Sequence, residues 1–127
     1  MTVSDNRISQ PFSKADDIYD VIVVGSGYGG GIAGSRLARA GKKVAILERG
    51  REIRPGEYPD TAASGMTEMQ ITTAQSGKTF GRADGLYDLR LNEDMNVFVG
   101  CGLGGTSLVN ANVALEIDPR IFKQENW

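Results

Sequence analysis

Histidine is absent from this 127-residue chain, and cysteine occurs once. Without an imidazole, the chain lacks the side chain most often used to accept and return a proton in catalysis. The single cysteine, Cys101, excludes an internal disulfide and suits a reducing compartment. No apolar run approaches the roughly 20 residues that a membrane-spanning helix requires. Nor is there an excess of one charge: 14 Lys and Arg against 16 Asp and Glu leave a net charge of -2, no electrostatic footprint for nucleic acid. The first stretch, "MTVSDNRISQPFSKADD", lacks the apolar core of a secretory signal and is read as a flexible leader, residues 1–17. With 40% hydrophobic and 24% charged residues, the composition is that of an ordinary soluble globular protein, and with the polar leader and single cysteine the chain is read as cytoplasmic.

What the chain does have is glycine. Its 17 glycines bunch at residues 25–34 and 100–105 rather than spreading as in a linker. The first bunch follows "YDVIVV", residues 19–24, a continuous β-branched run suited to a strand buried on both faces of a parallel sheet. Small and apolar positions from Gly30 to Ala38 then recur at helical spacing, and Gly41 is placed to cap a helix over residues 29–40. "KVAILE", residues 43–48, reads as a second buried strand. These three elements make a βαβ unit, so the expected fold class is α/β, with a Rossmann-like dinucleotide-binding βαβ unit and an added β-rich insertion in an incomplete domain.

Beyond Glu48 the charged stretch with Pro55 and Pro59 predicts an exposed, extended connection. Residues 67–74 are read as a short helix. "LYDLRL" and "MNVFVG" alternate as two antiparallel strands joined through "NED", and "NVALEI" reads as a further short strand. Asp118 before Pro119 is a helix-start signal with little chain left to follow it, so the sequence is read as the N-terminal piece of a longer protein.

Gly25, Gly27 and Gly30 form G-x-G-x-x-G between the first strand and the helix, with an acid, Glu48, ending the second strand. Gly25 allows the sharp turn and Gly27 the close approach of a pyrophosphate. Gly30 lets helix and strand pack without a side chain between them. The helix N-terminus supplies free N–H groups for the phosphates, and the Glu48 carboxylate can accept from ribose hydroxyls. Gly29 lies in the same turn, and Tyr28 either lines the cofactor or covers the loop. This unit alone suits NAD and FAD equally, because both present an ADP half. In the second bunch, four of the six residues 100–105 are glycine, flanked by "VFV" and "SLVNANVAL". Apolar flanks predict a dry, close-fitting loop rather than a hinge.

The segments "YDVIVVGSGYGGGIAGSRLARAGKKVAILERG" and "GCGLGGTSLVNANVALEIDPRIF" together resemble the N-terminal portion of the glucose–methanol–choline oxidoreductases, and within them the cholesterol-oxidase branch. The "LERG" ending is similar to that of FAD rather than NAD binders. The resemblance implies FAD, with Gly105 and Thr106 approaching its flavin end through backbone and Asn110 through its amide. A turn-capping role is the alternative for Asn110. Some members attach FAD covalently through a histidine just before the asparagine; here that position is Val109, so non-covalent FAD is expected. The family's catalytic histidine has no counterpart in this chain, and Cys101 matches no catalytic cysteine.

The expected cofactor-binding set is therefore Gly25, Gly27, Tyr28, Gly29, Gly30, Glu48, Gly105, Thr106 and Asn110. No catalytic residue and no metal ligand is assigned. Residues 18–127 are taken as the first part of an FAD-binding domain whose remainder, with the substrate domain and catalytic base, lies beyond Trp127. The resemblance implies oxidation of the CH–OH group of an alcohol by hydride transfer to flavin, with a sterol as the first candidate and a simpler alcohol next, and oxygen or another acceptor taking the electrons. Two alternatives remain: an NAD-dependent dehydrogenase, which has no use for the second glycine loop, and a non-catalytic dinucleotide-binding module.

Overall fold

The computed structural model describes residues 7–110 and 114–125. Strand β1 (Val21–Val24), helix α1 (Tyr28–Arg39) and strand β2 (Val44–Leu47) form the expected βαβ unit, with β1 and β2 parallel and Val21 opposite Val44. Both strands are shorter than the sequence suggests. Ahead of them the ladder gives way to Asp20, whose N–H donates to the Lys43 carbonyl while its carboxylate accepts from the Lys43 N–H. Helix α1 ends as foreseen at Gly41, whose φ is 78°. The Gly41 N–H donates to the Ala38 carbonyl and the Lys42 N–H to that of Leu37, the paired bonds of a Schellman ending.

Helix α1 approaches the sheet through glycine. A β-carbon on Gly30 would lie 1.9 Å from the Gly25 carbonyl oxygen, and one on Gly34 2.7 Å from Ile46 Cδ1. Only one face of β1 is covered this way. Ile22 and Val24 on the other face are 58% and 85% exposed, so the strand is not buried on both faces within these residues.

A second sheet has the order β4-β3-β5-β6, from β3 (Met69–Thr73), β4 (Thr79–Gly81), β5 (Tyr87–Leu91) and β6 (Val97–Gly100). The β5–β6 pair is antiparallel, as its alternation predicts, and Tyr87 stacks on Phe98 across it. The short helix expected at residues 67–74 is instead strand β3, paired parallel to β5 and antiparallel to β4. Ile71, Thr72 and Thr73 are β-branched, and ladders on both sides satisfy their backbone. The helical turn lies just before it, as α2 (Ala62–Thr67), started by a capping box in which the Thr61 and Ser64 side chains and backbones bond reciprocally.

The connection after β2 is the joint between the two sheets rather than a loose extended loop. Arg49 reaches Gln70 (3.0 Å) and Asp88 (2.6 Å), and Arg51 reaches Glu68 (2.6 Å). Gln70, Leu86, Asp88 and Cys101 are the buried centre of this joint. Further on, Glu52 accepts from the N–H groups of Ser9 (2.8 Å) and Ile8, so that part of the leader is tied to the joint. Of the strand read at "NVALEI", residues 112 and 113 lie outside the described residues and 114–117 have no regular structure. At Asp118 the expected helix is a single 3-10 turn, Ile121–Lys123, with the Asp118 carboxylate taken by Arg120.

Candidate functional site

The first glycine loop leaves β1 at Gly25, whose φ of 90° is the left-handed turn that glycine permits. Its N–H donates to the Leu47 carbonyl (2.8 Å), which holds the loop across the ends of both parallel strands. Gly27 is the N-cap of α1 and makes no side-chain cap, and the first turn carries no acidic residue. Nothing stands within 4 Å of where a Gly29 β-carbon would be. The start of α1 is thus bare backbone with free N–H groups, a surface that fits a phosphate group. Tyr28 is 71% exposed beside it.

The second glycine loop folds directly onto the first. Gly104 and Gly105 have φ of 110° and 68°, and a β-carbon on Gly105 would come within 2.9 Å of Gly27 Cα. A 3-10 turn, Gly105–Val109, follows, with Asn110 as its C-cap, and Thr106 and Asn110 are both exposed. The loop is close-fitting, as its apolar flanks predict, but much of what it fits is the chain itself. A β-carbon on Gly50 would meet Gly102 N at 2.3 Å, and one on Gly102 would meet Leu108 Cδ1 at 2.5 Å. Cys101 is 3% exposed and serves as a small packed residue.

Glu48 lies where the two loops meet. Its Oε2 accepts from the Ser26 N–H (2.9 Å) and the Ser26 hydroxyl (2.6 Å), and its Oε1 from the Gly50 N–H (3.0 Å). Partial burial pushes this carboxyl up, but the Ser26 hydroxyl and the Gly50 and Ser26 N–H groups outweigh burial and hold it below the ordinary value of 4.5. The acid is therefore ionised at neutral pH. A carboxylate has about four acceptor positions, and the chain itself occupies three of them.

Sequence reasoning brought the glycines, Glu48 and the second loop to one place but missed Ser26, which sits between glycines as the variable position of G-x-G. It also missed Asp88, half of the joint beneath the second loop. Asp88 is fully buried; desolvation pushes its carboxyl up, but the Arg49 and Arg90 guanidinium groups outweigh that and hold it low. Neither residue carries a signal in sequence. Along β2 runs a separate groove of about 1280 Å³, walled by Ile8, Phe12, Tyr19, Leu47, Ile53 and Leu103. Glu48 borders it, but Gly25, Gly27, Gly29 and Gly105 do not, so it lies beside the glycine loops rather than between them.

The profile of the FAD binding domain family matches residues 20–92, more than half of the chain. The chain belongs to this family. Its cofactor is FAD, and the uncapped start of α1 with its open glycines fits the diphosphate of that group. Among curated proteins, the FAD-binding chain is 31% identical over 105 residues to a long-chain-alcohol oxidase of Arabidopsis thaliana, covering 83% of this chain and 12% of the relative. It is 27% identical over 109 residues to a cholesterol oxidase of Acinetobacter baumannii, covering 86% and 18%. A dihydrolipoyl dehydrogenase of Corynebacterium glutamicum is 37% identical over 67 residues, covering 50% and 14%. The chain thus spans less than a fifth of the length of each of these relatives. Among the described residues, no helix is long and apolar enough to cross a membrane.

Proposed function

We propose that this chain is the first part of a longer FAD-dependent oxidoreductase that oxidises the CH–OH group of a large apolar alcohol. The observation that carries the reading is the second glycine loop seated on the first, Gly105 against Gly27. A nicotinamide-type βαβ unit has no need of such a loop. The resemblance to the glucose–methanol–choline oxidoreductases supplies a reason for it, since there this loop follows the flavin end of FAD. Relatives named as cholesterol oxidase and long-chain-alcohol oxidase support an alcohol on a bulky hydrocarbon skeleton, with a sterol as the first candidate and a long-chain alcohol as the second.

FAD, when bound, supplies the acceptor for the hydride that leaves the carbinol carbon. The residues of this chain bind and orient. The α1 N-terminus with Gly25, Gly27, Gly29 and Gly30 receives the diphosphate, and Glu48 accepts from the ribose through its remaining position. Gly105, Thr106 and Asn110 border the flavin, and Tyr28 lies at the edge of the phosphate loop. The proton of the alcohol needs an acceptor within about 3 Å. No residue near the two loops is assigned that part, and it falls to the remainder of the enzyme. The exposed faces of β1 and β2 support the same reading, because Ile22, Val24 and Leu47, on the side away from α1, suit further layers of a larger domain. The buried single cysteine suits a cytoplasmic setting.

The test is anaerobic mixing of the full-length flavoprotein with cholesterol, with a long-chain primary alcohol and with a sugar, in detergent. Loss of the yellow flavin absorption with either apolar alcohol, followed by peroxide on readmitting oxygen, is the expected result. Reduction by the sugar alone overturns the substrate class. Reduction by a nicotinamide with no response to any alcohol overturns the reaction.

A further inference from the structure

Ser26 is the most connected small side chain of the site, and the G-x-G pattern gives it no role. Its hydroxyl donates to Glu48 Oε2 (2.6 Å) and accepts from the Gly104 N–H (2.9 Å). Its own N–H donates to the same carboxylate oxygen (2.9 Å). Gly104 is 78 residues away in sequence and is the N-cap, in the left-handed region, of the 3-10 turn that carries Gly105, Thr106 and Val109. One hydroxyl thus closes a chain of hydrogen bonds from the acid that ends β2, through the phosphate loop, to the start of the second loop.

We propose that Ser26 is a positioning residue for FAD. It aligns the Glu48 carboxylate and, through Gly104, fixes the second glycine loop at the distance the cofactor requires. The proposal rests on the reading above, in which Glu48 meets the ribose and the second loop meets the flavin end. The chemistry favours a hydroxyl at this position. Only a group that both donates and accepts can serve a carboxylate on one side and an N–H on the other. Alanine leaves Glu48 Oε2 short of one donor and the Gly104 N–H without an acceptor in a partly buried place. Because the Glu48 carboxylate has only about one acceptor position left for a ligand, its direction matters more than its charge. The Gly104 backbone also holds a left-handed conformation next to the glycine contact, where its N–H is taken by Ser26 and its carbonyl by the Ser107 hydroxyl (2.7 Å), so the Ser26 bond is the one that ties it to the first loop.

The experiment compares the full-length protein with Ser26→Ala and Ser26→Thr, the second of which keeps the hydroxyl. FAD affinity is read by titration of the apoprotein, the flavin's surroundings by its visible absorption and midpoint potential, and the tie itself by hydrogen exchange at the Gly104 amide. The expected result is a loss of affinity of at least tenfold in Ser26→Ala, with a shifted absorption or potential in what FAD remains bound and faster Gly104 exchange without cofactor. Ser26→Thr should return all three to near the parent. A merely structural role would lower thermal stability of the apoprotein while leaving the potential of bound flavin unchanged, and that pattern overturns the proposal. So does a Ser26→Ala protein with the parent's affinity and spectrum. If Ser26→Ala does not fold, Ser26→Cys, a weaker donor and acceptor of similar size, is expected to fall between the parent and the loss, and a parent-like Cys variant overturns the proposal. A parent protein that takes up no FAD at all overturns the cofactor role together with the reading it rests on. The exchange rate at Gly104 then still reports on the tie, separately from the cofactor.

Discussion

Gly27 and Gly105 lie so close that a β-carbon on Gly105 would sit 2.9 Å from Gly27 Cα and 3.4 Å from Gly27 N. The contact is backbone on backbone, so no side-chain rotation can relieve an added methyl. Gly105 also has φ of 68°, where an L-residue with a β-carbon is disfavoured by about 1–2 kcal/mol. Gly105→Ala is therefore expected to push the two loops apart. FAD affinity should fall by an order of magnitude or more, and thermal unfolding of the apoprotein should shift down. Parent-like titration and melting curves would show that the loops are free to separate.

Gly29 gives the opposite pattern. Nothing lies within 4 Å of its missing β-carbon, and it sits in the first turn of α1. Alanine there should stabilise the free protein by about 0.5–1 kcal/mol, because helical glycine costs that much in chain entropy. The same methyl stands on the bare face that fits the diphosphate. Gly29→Ala is expected to raise the apoprotein melting temperature and weaken FAD at once. Chemical denaturation and cofactor titration on one preparation separate the two effects.

The sequence made the βαβ unit legible because each of its elements obeys a local rule. A β-branched run, a glycine turn, a helix with small residues toward the sheet and a glycine ending are all set by near neighbours in the chain. Gly30 and Gly41 show this best, one by its contact with the Gly25 carbonyl and the other by its φ of 78°. Strand β3 was not legible. Residues 69–73 are a strand because β5 and β4 arrive on either side, and a short segment cannot announce partners that lie 10 to 20 residues further on. Ser26 was illegible for the same reason, since its second partner is Gly104. The connection after Glu48 reads as exposed in sequence because Arg49 and Arg51 look like solvent charges until Asp88 and Glu68 are placed opposite them.

Glu52 holds the leader, and its titration should show it. The Ser9 N–H above all, with Ile8 and Arg54 adding, pulls this carboxyl from 4.5 to about 2. A depressed acid contributes its stabilisation fully above its unfolded pKa and loses it as pH falls through the folded one. The tie between the leader and Glu52 should therefore be complete above pH 4.5 and weaken only as pH drops toward about 2. Carboxyl NMR of the folded protein from pH 6 to pH 3 is expected to show little Glu52 protonation. Removal of residues 1–9 should return its midpoint to the ordinary carboxylate range. A midpoint near 4.5 in the intact chain would mean that the leader is not held there.

Asp88 is the anchor of the joint beneath the second loop. Its side chain is 1% exposed and bonded to Arg49 (2.6 Å) and Arg90 (3.1 Å), both of which are about half exposed. Hydrogen bonds to charged groups contribute roughly 1.5–3 kcal/mol, and the solvent around the arginines argues for the lower end. Asp88→Asn keeps the shape and removes the charge, so a loss of about 1.5–2 kcal/mol in denaturant unfolding is expected. Arg90→Ala should cost less than Arg49→Ala, because its bond is longer and Arg49 also holds Gln70. The reverse order would mean that the joint hangs on β5 alone rather than on the link back to β2.

The last expectation concerns how FAD is held. In the resembled family, covalent attachment uses a histidine next to the asparagine of the second loop, and here that neighbour is Val109, in the 3-10 turn Gly105–Val109. Valine has no nucleophilic atom, and no histidine occurs at any of the 127 positions. The lone cysteine cannot replace it, because Cys101 is 3% exposed, with its N–H donated to the Leu86 carbonyl and its backbone packed against Gly50. From this chain, attachment is then expected to come through non-covalent contacts: the open α1 start, the remaining Glu48 acceptor and the backbone of the second loop. Acid precipitation of the full-length holoprotein is expected to leave all of the yellow colour in the supernatant. Val109→His offers the complementary measurement, since it restores an imidazole to the position the family uses. Flavin that stays with the pellet of the parent protein would show a covalent link made elsewhere in the enzyme, and would overturn the non-covalent assignment.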